Sequence, residues 1–249
     1  MDATQQLFTE QLAMLGIALS EQQLEQFETY FSLLVEWNEK MNLTGITERG
    51  AVYEKHFYDS LTLAKVVDFN EVSSLADIGS GAGFPSIPLA IAFPHLKVTI
   101  IDSLAKRIRF LEEVASRLAL AGVSPIHGRA EDVARLKAHR DQYDIVTARA
   151  VARLAVLNEL CLPFVKAGGT FVAMKGTDIS EELSESKYSI DKLNGSLVRV
   201  EQMQLPSEGA DRHLLLIAKT SATPPTYPRK AGVPLKSPLV KPSVQGLSL

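Results

Sequence analysis

The chain has 249 residues, of which 46% are hydrophobic and 22% are charged. These values are typical of a soluble globular protein, and they exclude a wholly disordered or collagen-like chain. Cys161 is the only cysteine, which excludes an internal disulfide and a thiolate zinc cluster. No apolar run is long enough to span a membrane, and the polar N-terminus lacks the features of a signal peptide. We therefore expect a cytoplasmic protein without membrane association.

The net charge of −3 is distributed unevenly along the chain. From residue 220 to the end there is no Asp or Glu, but there are four basic residues, namely Arg229, Lys230, Lys236 and Lys241. These four charges and the total of −3 leave −7 on the rest of the chain. A basic arm suits phosphate contacts, because neutralising phosphates releases counterions. The alternative is a solvated, disordered terminus.

Residues 1–68 are predicted to form a helical region. Ser20 and Gln23 have the spacing of a capping box, and apolar residues then recur at helical steps: Leu24, Phe27, Phe31, Leu34 and Val35. A break at 42–45 precedes a second helix over 51–66. There His56 and Asp59 lie one turn apart, and a hydrogen bond on the helix face is favoured over a zinc pair, which would need further ligands.

Residues 69–220 alternate between short apolar runs and amphipathic segments. The pattern predicts strands at 75–78, 98–101, 124–127, 145–148 and 171–174, with helices at 85–93, 104–121 and 151–165. Such alternation indicates a parallel sheet with crossover helices. Two further strands, 197–203 and 213–219, are separated only by a loop and predict an antiparallel hairpin. This α/β architecture is that of Rossmann-like class I methyltransferases that use S-adenosylmethionine, here preceded by a helical extension.

Residues 221–249 are predicted to be a basic tail. Six prolines follow Thr220 and favour an extended arm without regular structure: Pro224, Pro225, Pro228, Pro234, Pro238 and Pro242.

The strongest local motif follows the first predicted strand, in Leu75-Ala-Asp-Ile-Gly-Ser-Gly-Ala-Gly-Phe-Pro85. Gly79, Gly81 and Gly83 allow a sharp turn and let a ligand approach the backbone. The dinucleotide fingerprint fails, because its third glycine would stand at Phe84. The spacing suits a ligand without a pyrophosphate, such as S-adenosylmethionine; the alternative is a tight turn that binds nothing.

Polar residues follow the other predicted strands. Asp102 is placed to accept hydrogen bonds from ribose hydroxyls, or else to cap the next helix. Glu131 or Asp132 could accept from the adenine amino group, again with helix capping as the alternative. Arg149 is expected to pair with a carboxylate or phosphate, and a structural salt bridge is its alternative.

The lysine and arginine candidates are less specific. Lys175 ends the fifth strand, where it could reach a substrate phosphate. A solvated helix face is the simpler interpretation of Lys106, Arg107 and Arg109.

Two absences bear on the reaction. The fourth strand ends in Arg149-Ala-Val-Ala152, without the Asn/Asp-Pro-Pro-aromatic stretch that serves methylation of an exocyclic amine. Cys161 lies in an apolar helical run and is expected in the core, so a pyrimidine C5 mechanism lacks its nucleophile. A substrate atom with its own free lone pair, such as a purine N7, needs neither feature. Positioning in line with the methyl donor would supply most of the catalysis.

Across most of its length the chain resembles the GidB/RsmG family of bacterial 16S ribosomal RNA guanine-N7 methyltransferases. The segments that carry the likeness are Trp37-Asn-Glu-Lys-Met-Asn-Leu-Thr44, His56-Phe-Tyr-Asp-Ser-Leu61, Asp77-Ile-Gly-Ser-Gly-Ala-Gly-Phe-Pro85, Gly128-Arg-Ala-Glu131, Thr147-Ala-Arg149-Ala, Met174-Lys-Gly176, Tyr227-Pro-Arg-Lys-Ala-Gly232 and Lys236-Ser-Pro-Leu239. Ser86 departs from the glycine that is common in the family.

The resemblance implies methyl transfer from S-adenosylmethionine to guanine 527 in the 530 loop of 16S ribosomal RNA. It assigns cofactor contacts to Gly79, Phe84, Ala130, Glu131 and Arg149, with Asp102 as the ribose acid. Arg149 and Lys175 become candidates for positioning the base, and RNA contacts are expected at Lys175, Arg212, Arg229, Lys230 and Lys236. No metal is implied.

The expected partner is the small ribosomal subunit, bound by a monomer. Two alternatives stay open: a small-molecule methyltransferase on the same fold, and a non-catalytic RNA-binding assembly factor. Binding of S-adenosylmethionine would argue against the second of these.

Overall fold

The computed structural model describes residues 1–176 and 179–241. Its centre is one sheet of seven strands in the order β3-β2-β1-β4-β5-β7-β6. The strands are β1 Ser74–Ile78, β2 Lys97–Asp102, β3 Val123–His127, β4 Tyr143–Arg149, β5 Val165–Lys175, β6 Gly195–Gln204 and β7 Asp211–Lys219. β1 to β5 are parallel, whereas β7 pairs antiparallel with both β5 and β6. The predicted parallel sheet with its C-terminal hairpin is confirmed.

The strand order reverses between β1 and β4, because the chain runs from β1 to β2 and β3 on one side and continues with β4 on the other. Ligands of open α/β sheets bind at such a reversal, outside the carboxyl ends of the strands. The helices of this region are α5 Ser86–Ala92, α6 Ala105–Arg117, α7 Ala130–Val133, α8 Leu154–Cys161 and α9 Ser180–Lys192. Among the described residues no helix combines the length and apolar character needed to cross a bilayer.

Helix α9 was not predicted from the sequence. Its buried positions include Ser186 and Ser189, and the Ser189 hydroxyl accepts a 2.8 Å hydrogen bond from the Asn158 amide. The inner face of α9 also carries Leu183 and Ile190, but the buried hydroxyls between them interrupt the apolar stripe and weaken the hydrophobic periodicity.

The N-terminal region consists of α1 Ala3–Ala13, α2 Glu21–Met41 and a broken helical run. The predicted capping box at Ser20 is confirmed, since its hydroxyl accepts from Gln23 N at 3.2 Å and its own N–H donates to Gln23 Oε1 at 2.8 Å. The expectation of one regular helix over 51–66 is wrong. That stretch comprises α3 Arg49–Val52, a π-helix Tyr53–Tyr58, α4 Asp59–Leu61 and a 3₁₀ helix Thr62–Lys65.

The break in this run has a local cause. The Ser60 and Thr62 hydroxyls donate to the carbonyls of His56 and Asp59, both at 2.5 Å. Side-chain bonds of this kind compete with the backbone ladder of a regular helix.

Two apolar clusters cover the two faces of the sheet. One contains Leu75 and Val98 and extends into the N-terminal helices through Phe27 and Phe57. The other contains the alternate strand residues together with α8, where Cys161 is fully buried. The core position predicted for Cys161 is therefore confirmed, and burial raises the pKa of its thiol.

The tail from residue 221 to 241 packs against the sheet domain. The Arg140 guanidinium donates to the carbonyls of Thr223 and Tyr227, both at 2.9 Å, and a short helix α10 spans Val233–Lys236. Tyr227 and Leu239 pack on the second apolar cluster. The expectation of an extended arm is wrong over this range, because side chains of the body hold the tail's carbonyls. Pro242 and the rest of the predicted tail lie outside the described residues.

Candidate functional site at the carboxyl edge of the sheet

The glycine turn after β1 uses its three glycines for different reasons. Gly79, Gly81 and Gly83 all have positive φ angles, of 71°, 63° and 97°. A Cβ on Gly79 would lie 2.9 Å from Val151 Cγ2, and one on Gly83 would lie 2.6 Å from Ile87 Cγ1. A Cβ on Gly81 would meet no described atom within 4 Å. Gly79 and Gly83 are therefore required by packing, whereas Gly81 leaves the backbone open to a ligand.

Asp102 ends β2 beside this turn and is almost completely buried. Its Oδ2 accepts from Gly81 N at 3.2 Å, and its Oδ1 accepts from Leu104 N at 2.9 Å, where α6 begins. Arg107 lies 3.3 Å from the same carboxylate. Asp102 thus supports the helix start and also borders the glycine turn. The predicted ribose contact stays a prediction.

Asp77 is a charged residue that sequence reasoning did not single out for chemistry. It lies in β1 directly before the turn and is fully buried. Its Oδ2 accepts from Ser86 N at 3.3 Å, but within the described chain its Oδ1 has no hydrogen-bond partner. Burial raises the pKa of Asp77 to about 6. The one feature of the sequence that could have indicated Asp77 is its position as an acidic residue in an otherwise apolar strand.

A cavity of about 280 Å³ opens at the strand reversal. Its lining includes Gly79, Ala130 and Glu131 from the predicted cofactor set, together with apolar side chains that the sequence did not flag: Ile78, Ile101, Val151, Val156 and Leu160. Of the two predicted acids, Glu131 is buried and Asp132 is exposed. Gly81, Gly83, Phe84, Asp102 and Arg149 are not part of this lining. A larger cavity, of about 800 Å³, lies against α8, α9 and the tail and contains none of the predicted cofactor residues.

Phe84 joins the glycine turn to the N-terminal helices. The His56 ring stacks on the Phe84 ring with centroids 4.5 Å apart, and the Arg149 guanidinium lies 4.9 Å from the Phe84 centroid. Burial, followed by the nearby charge of Arg149, lowers the pKa of His56 to about 3. His56 is therefore neutral near pH 7.

Asp59 is the anionic partner of this group. Its carboxylate lies 2.9 Å from Arg149 and 2.9 Å from Arg212, and it is buried between them. The predicted hydrogen bond between His56 and Asp59 on the helix face is wrong. His56 Nε2 is hydrogen-bonded to Thr44 Oγ1 at 2.8 Å, and Asp59 faces the two arginines instead. Taken alone, these four side chains carry one net positive charge, and the carboxylate of Asp77, which interacts with Arg149, offsets it at neutral pH.

The residues predicted to bind RNA fall into two groups. Lys175 lies 2.7 Å from Glu182, Arg212 is held by Asp59, and Arg229 lies 2.7 Å from Glu159. Lys175 and Arg229 are each neutralised by a carboxylate, whereas Arg212 shares the single carboxylate of Asp59 with Arg149 and is only partly neutralised. Lys230 and Lys236 are exposed on the tail.

No metal centre accompanies the site in the part of the chain that the structure describes, where no group of three or more His, Cys, Asp or Glu side chains is placed to hold an ion.

The sheet order and the glycine turn are those of a Rossmann-like methyltransferase. Solved structures with this fold include TYW2 of M. jannaschii in complex with AdoMet, which has a TM-score of 0.51 at 19% identity and is matched over 66% of this chain and 76% of that one. A mutant of MtNAS in complex with S-adenosylmethionine has a TM-score of 0.53 at 16% identity, over 80% of this chain and 76% of that one. These similarities establish the fold.

The chain belongs to the family described as "GidB: rRNA small subunit methyltransferase G", whose model matches residues 23–215. A relative named ribosomal RNA small subunit methyltransferase G, from Brevibacillus brevis, is 58% identical over 95% of this chain and 100% of its own length. One of the same name from Halalkalibacterium halodurans is 56% identical over 93% of this chain and 98% of its own. The resemblance inferred from the sequence is confirmed.

Proposed function

We propose that this protein transfers the methyl group of S-adenosylmethionine to N7 of a guanine in the 16S RNA of the small ribosomal subunit, guanine 527 in the family pattern. The observation that carries the proposal is the cavity at the strand reversal, which is lined by Gly79 of the glycine turn; two residues further on, the Gly81 backbone is open. The names of the family and of its relatives support the substrate class.

The residues present fit this cofactor. The apolar part of the cavity suits an adenine ring, and Asp102 beside Gly81 suits the ribose hydroxyls. Asp77, whose buried Oδ1 has no hydrogen-bond partner within the described residues, adds negative charge next to the turn. A nucleoside that carries a sulfonium and an ammonium matches this environment better than a dinucleotide, whose pyrophosphate would meet these carboxylates. When bound, the cofactor supplies an electrophilic methyl group.

The protein's part in the transfer is positioning. N7 of guanine has a free lone pair and no proton to lose, so no general base is needed. Arg149, fixed by Asp59 and by the Phe84 ring, borders the place where a base would meet the glycine turn. Holding the two reactants in line supplies a large part of the barrier reduction in such reactions. We assign Arg149 to orienting the base, and Lys230 and Lys236 to phosphate contacts.

The decisive experiment is transfer of tritiated methyl groups from S-adenosylmethionine to small subunits that lack the modification. We expect one methyl group per subunit, mapped to N7 of a single guanine. Transfer to a small molecule, or binding of the cofactor without transfer to RNA, would refute the proposal. Size-exclusion chromatography of the free protein tests the accompanying proposal of a monomer, and cell fractionation tests its proposed location in the cytoplasm.

A matched pair of variants tests the cofactor site directly. Gly81→Val places a side chain on the open backbone and should abolish binding of S-adenosylhomocysteine in calorimetry. Gly209→Val is the control, because Gly209 has a φ of 64° and an equally open surrounding in the described structure, but lies in the loop between β6 and β7. The two glycines have almost the same positive φ, 63° and 64°, so a side chain is disfavoured at both positions for the same reason. Equal binding by the two variants would remove the glycine turn from the cofactor site.

A further inference from the structure

The tail segment that follows Pro228 is fixed by an ion pair with a fully buried partner. Glu159 on α8 is inaccessible to solvent, and its carboxylate accepts from Arg229 Nε at 2.9 Å and from the Arg229 backbone N at 2.7 Å. A second guanidinium nitrogen of Arg229 reaches the other carboxylate oxygen at 2.7 Å. Hydrogen bonds to a charged, buried group are among the stronger ones in proteins. The position of this segment is therefore set by the protein itself.

The segment held in this way forms part of the wall of the cavity at the strand reversal. Gly232, Leu235 and Lys236 share the lining with Ile101 and Val151. Leu235 is 67% exposed, although its apolar side chain stands at the edge of a cavity with an apolar lining. A ligand that filled the cavity would cover this side chain.

A second contact connects the tail to the predicted cofactor acid. Glu131 Oε1 accepts a 2.8 Å hydrogen bond from Gly232 N. Among residues 1–176 and 179–241 no hydrogen bond reaches Glu131 Oε2, which leaves that oxygen for a donor in the cavity. One carboxylate is thus shared between the tail and the place where a ligand would bind.

The geometry points to the tail as a component of the cofactor site: Leu235 packs against the adenine ring of S-adenosylmethionine, and Gly232 orients Glu131 towards the adenine amino group. This inference rests on the proposed function and specifies which segment completes the adenosine pocket. Small-molecule sites bury most of the ligand surface, and here the strand ends, α7 and α8 line only part of the cavity, with Gly232, Leu235 and Lys236 on its remaining wall. The tail supplies the missing side.

The test uses Leu235→Ala in the full-length protein. Since the side chain is mostly exposed, its truncation should leave the free energy of unfolding unchanged. Covering a leucine side chain contributes enough for a loss of roughly ten-fold in affinity on truncation. We expect that loss in calorimetry with S-adenosylhomocysteine, and the same factor with methylthioadenosine, which lacks the amino-acid part.

The control is Val240→Ala, another exposed apolar residue of the tail, which does not line this cavity. It should bind both ligands like the unmodified protein. Unchanged binding by Leu235→Ala, or a loss confined to S-adenosylhomocysteine, would overturn the inference and leave the proposed function standing. Failure of the unmodified protein to bind either ligand would instead overturn the proposed function.

Discussion

Replacing Asp59 by asparagine should destabilise the protein by about 3 kcal/mol. The carboxylate is 3% exposed and lies 2.9 Å from each of two guanidiniums, whose side chains are only 16% and 22% exposed. Removing one partner of a buried ion pair costs about 3–5 kcal/mol, because the other charge remains in a poorly solvated place. The lower end applies here, since the asparagine oxygen can still accept one hydrogen bond and both arginines retain some contact with water.

Urea unfolding followed by circular dichroism measures this change. The control is Glu201→Gln, which removes an ion pair with Arg199, whose side chain is 51% exposed; it should cost less than about 1 kcal/mol. In the double variant Asp59→Asn/Arg212→Gln, one unpaired guanidinium is removed, so the double variant should be less destabilised than the sum of the two single ones. If Asp59→Asn costs no more than the control, our account of this charge cluster is wrong.

Two further predictions concern pH and salt. The pKa of His56 is lowered from 6.5 to about 3. Above pH 6.5 His56 is neutral in both the folded and the unfolded chain, and the free energy of unfolding is highest there. On acidification the unfolded chain binds a proton at His56 and the folded chain does not, so the free energy of unfolding falls, by roughly 2 kcal/mol from pH 7 to pH 5. Replacing His56 by glutamine should flatten the dependence of the free energy of unfolding on pH, whereas replacing the exposed His127 by glutamine should not. The same pH dependence in both variants would contradict the assignment to His56. Lys230→Ala should lower the slope of log K for RNA binding against log salt concentration by about 1. Lys97→Ala, at the amino ends of the strands, should leave this slope unchanged. An unchanged slope for Lys230→Ala would show that Lys230 does not contact a phosphate.

The sheet was predictable because its signals are local. Strands such as β1 and β2 are buried on both faces and stand out as short apolar runs, and the two-strand hairpin lacks an intervening helix in the sequence. The helix α9 was missed because buried hydroxyls interrupt the apolar positions of its inner face, Leu183 and Ile190. The irregular run from Arg49 to Lys65 was missed because side-chain hydrogen bonds, rather than apolar spacing, decide its shape.

Candidate site residues could be predicted from the sequence only where a motif or a position after a strand indicates a chemical role. The glycine turn, Asp102 and Glu131 could be proposed as site residues from their positions after strands, and this stays a prediction. The ion pairs of Asp59 with Arg149 and Arg212 join segments far apart in the chain. Arg229 looked like a free cation, because the sequence does not show that Glu159 is buried beneath it. Leu235 carries no motif, and its relevance follows only from the folded tail. In each of these cases the role of the residue depends on contacts between segments that are far apart in the sequence.

The apolar cluster that runs from Phe27 and Phe57 to Leu75 and Val98 crosses the predicted boundary at residue 68. The hydroxyl of Tyr30 on α2 donates to the carbonyl of Ala82 in the glycine turn at 2.5 Å, so the helical extension reaches the glycine turn itself. The extension therefore cannot be treated as an interchangeable module. Cutting the chain there would remove the Tyr30 hydrogen bond that holds the glycine turn and would divide the apolar cluster shared by the two regions.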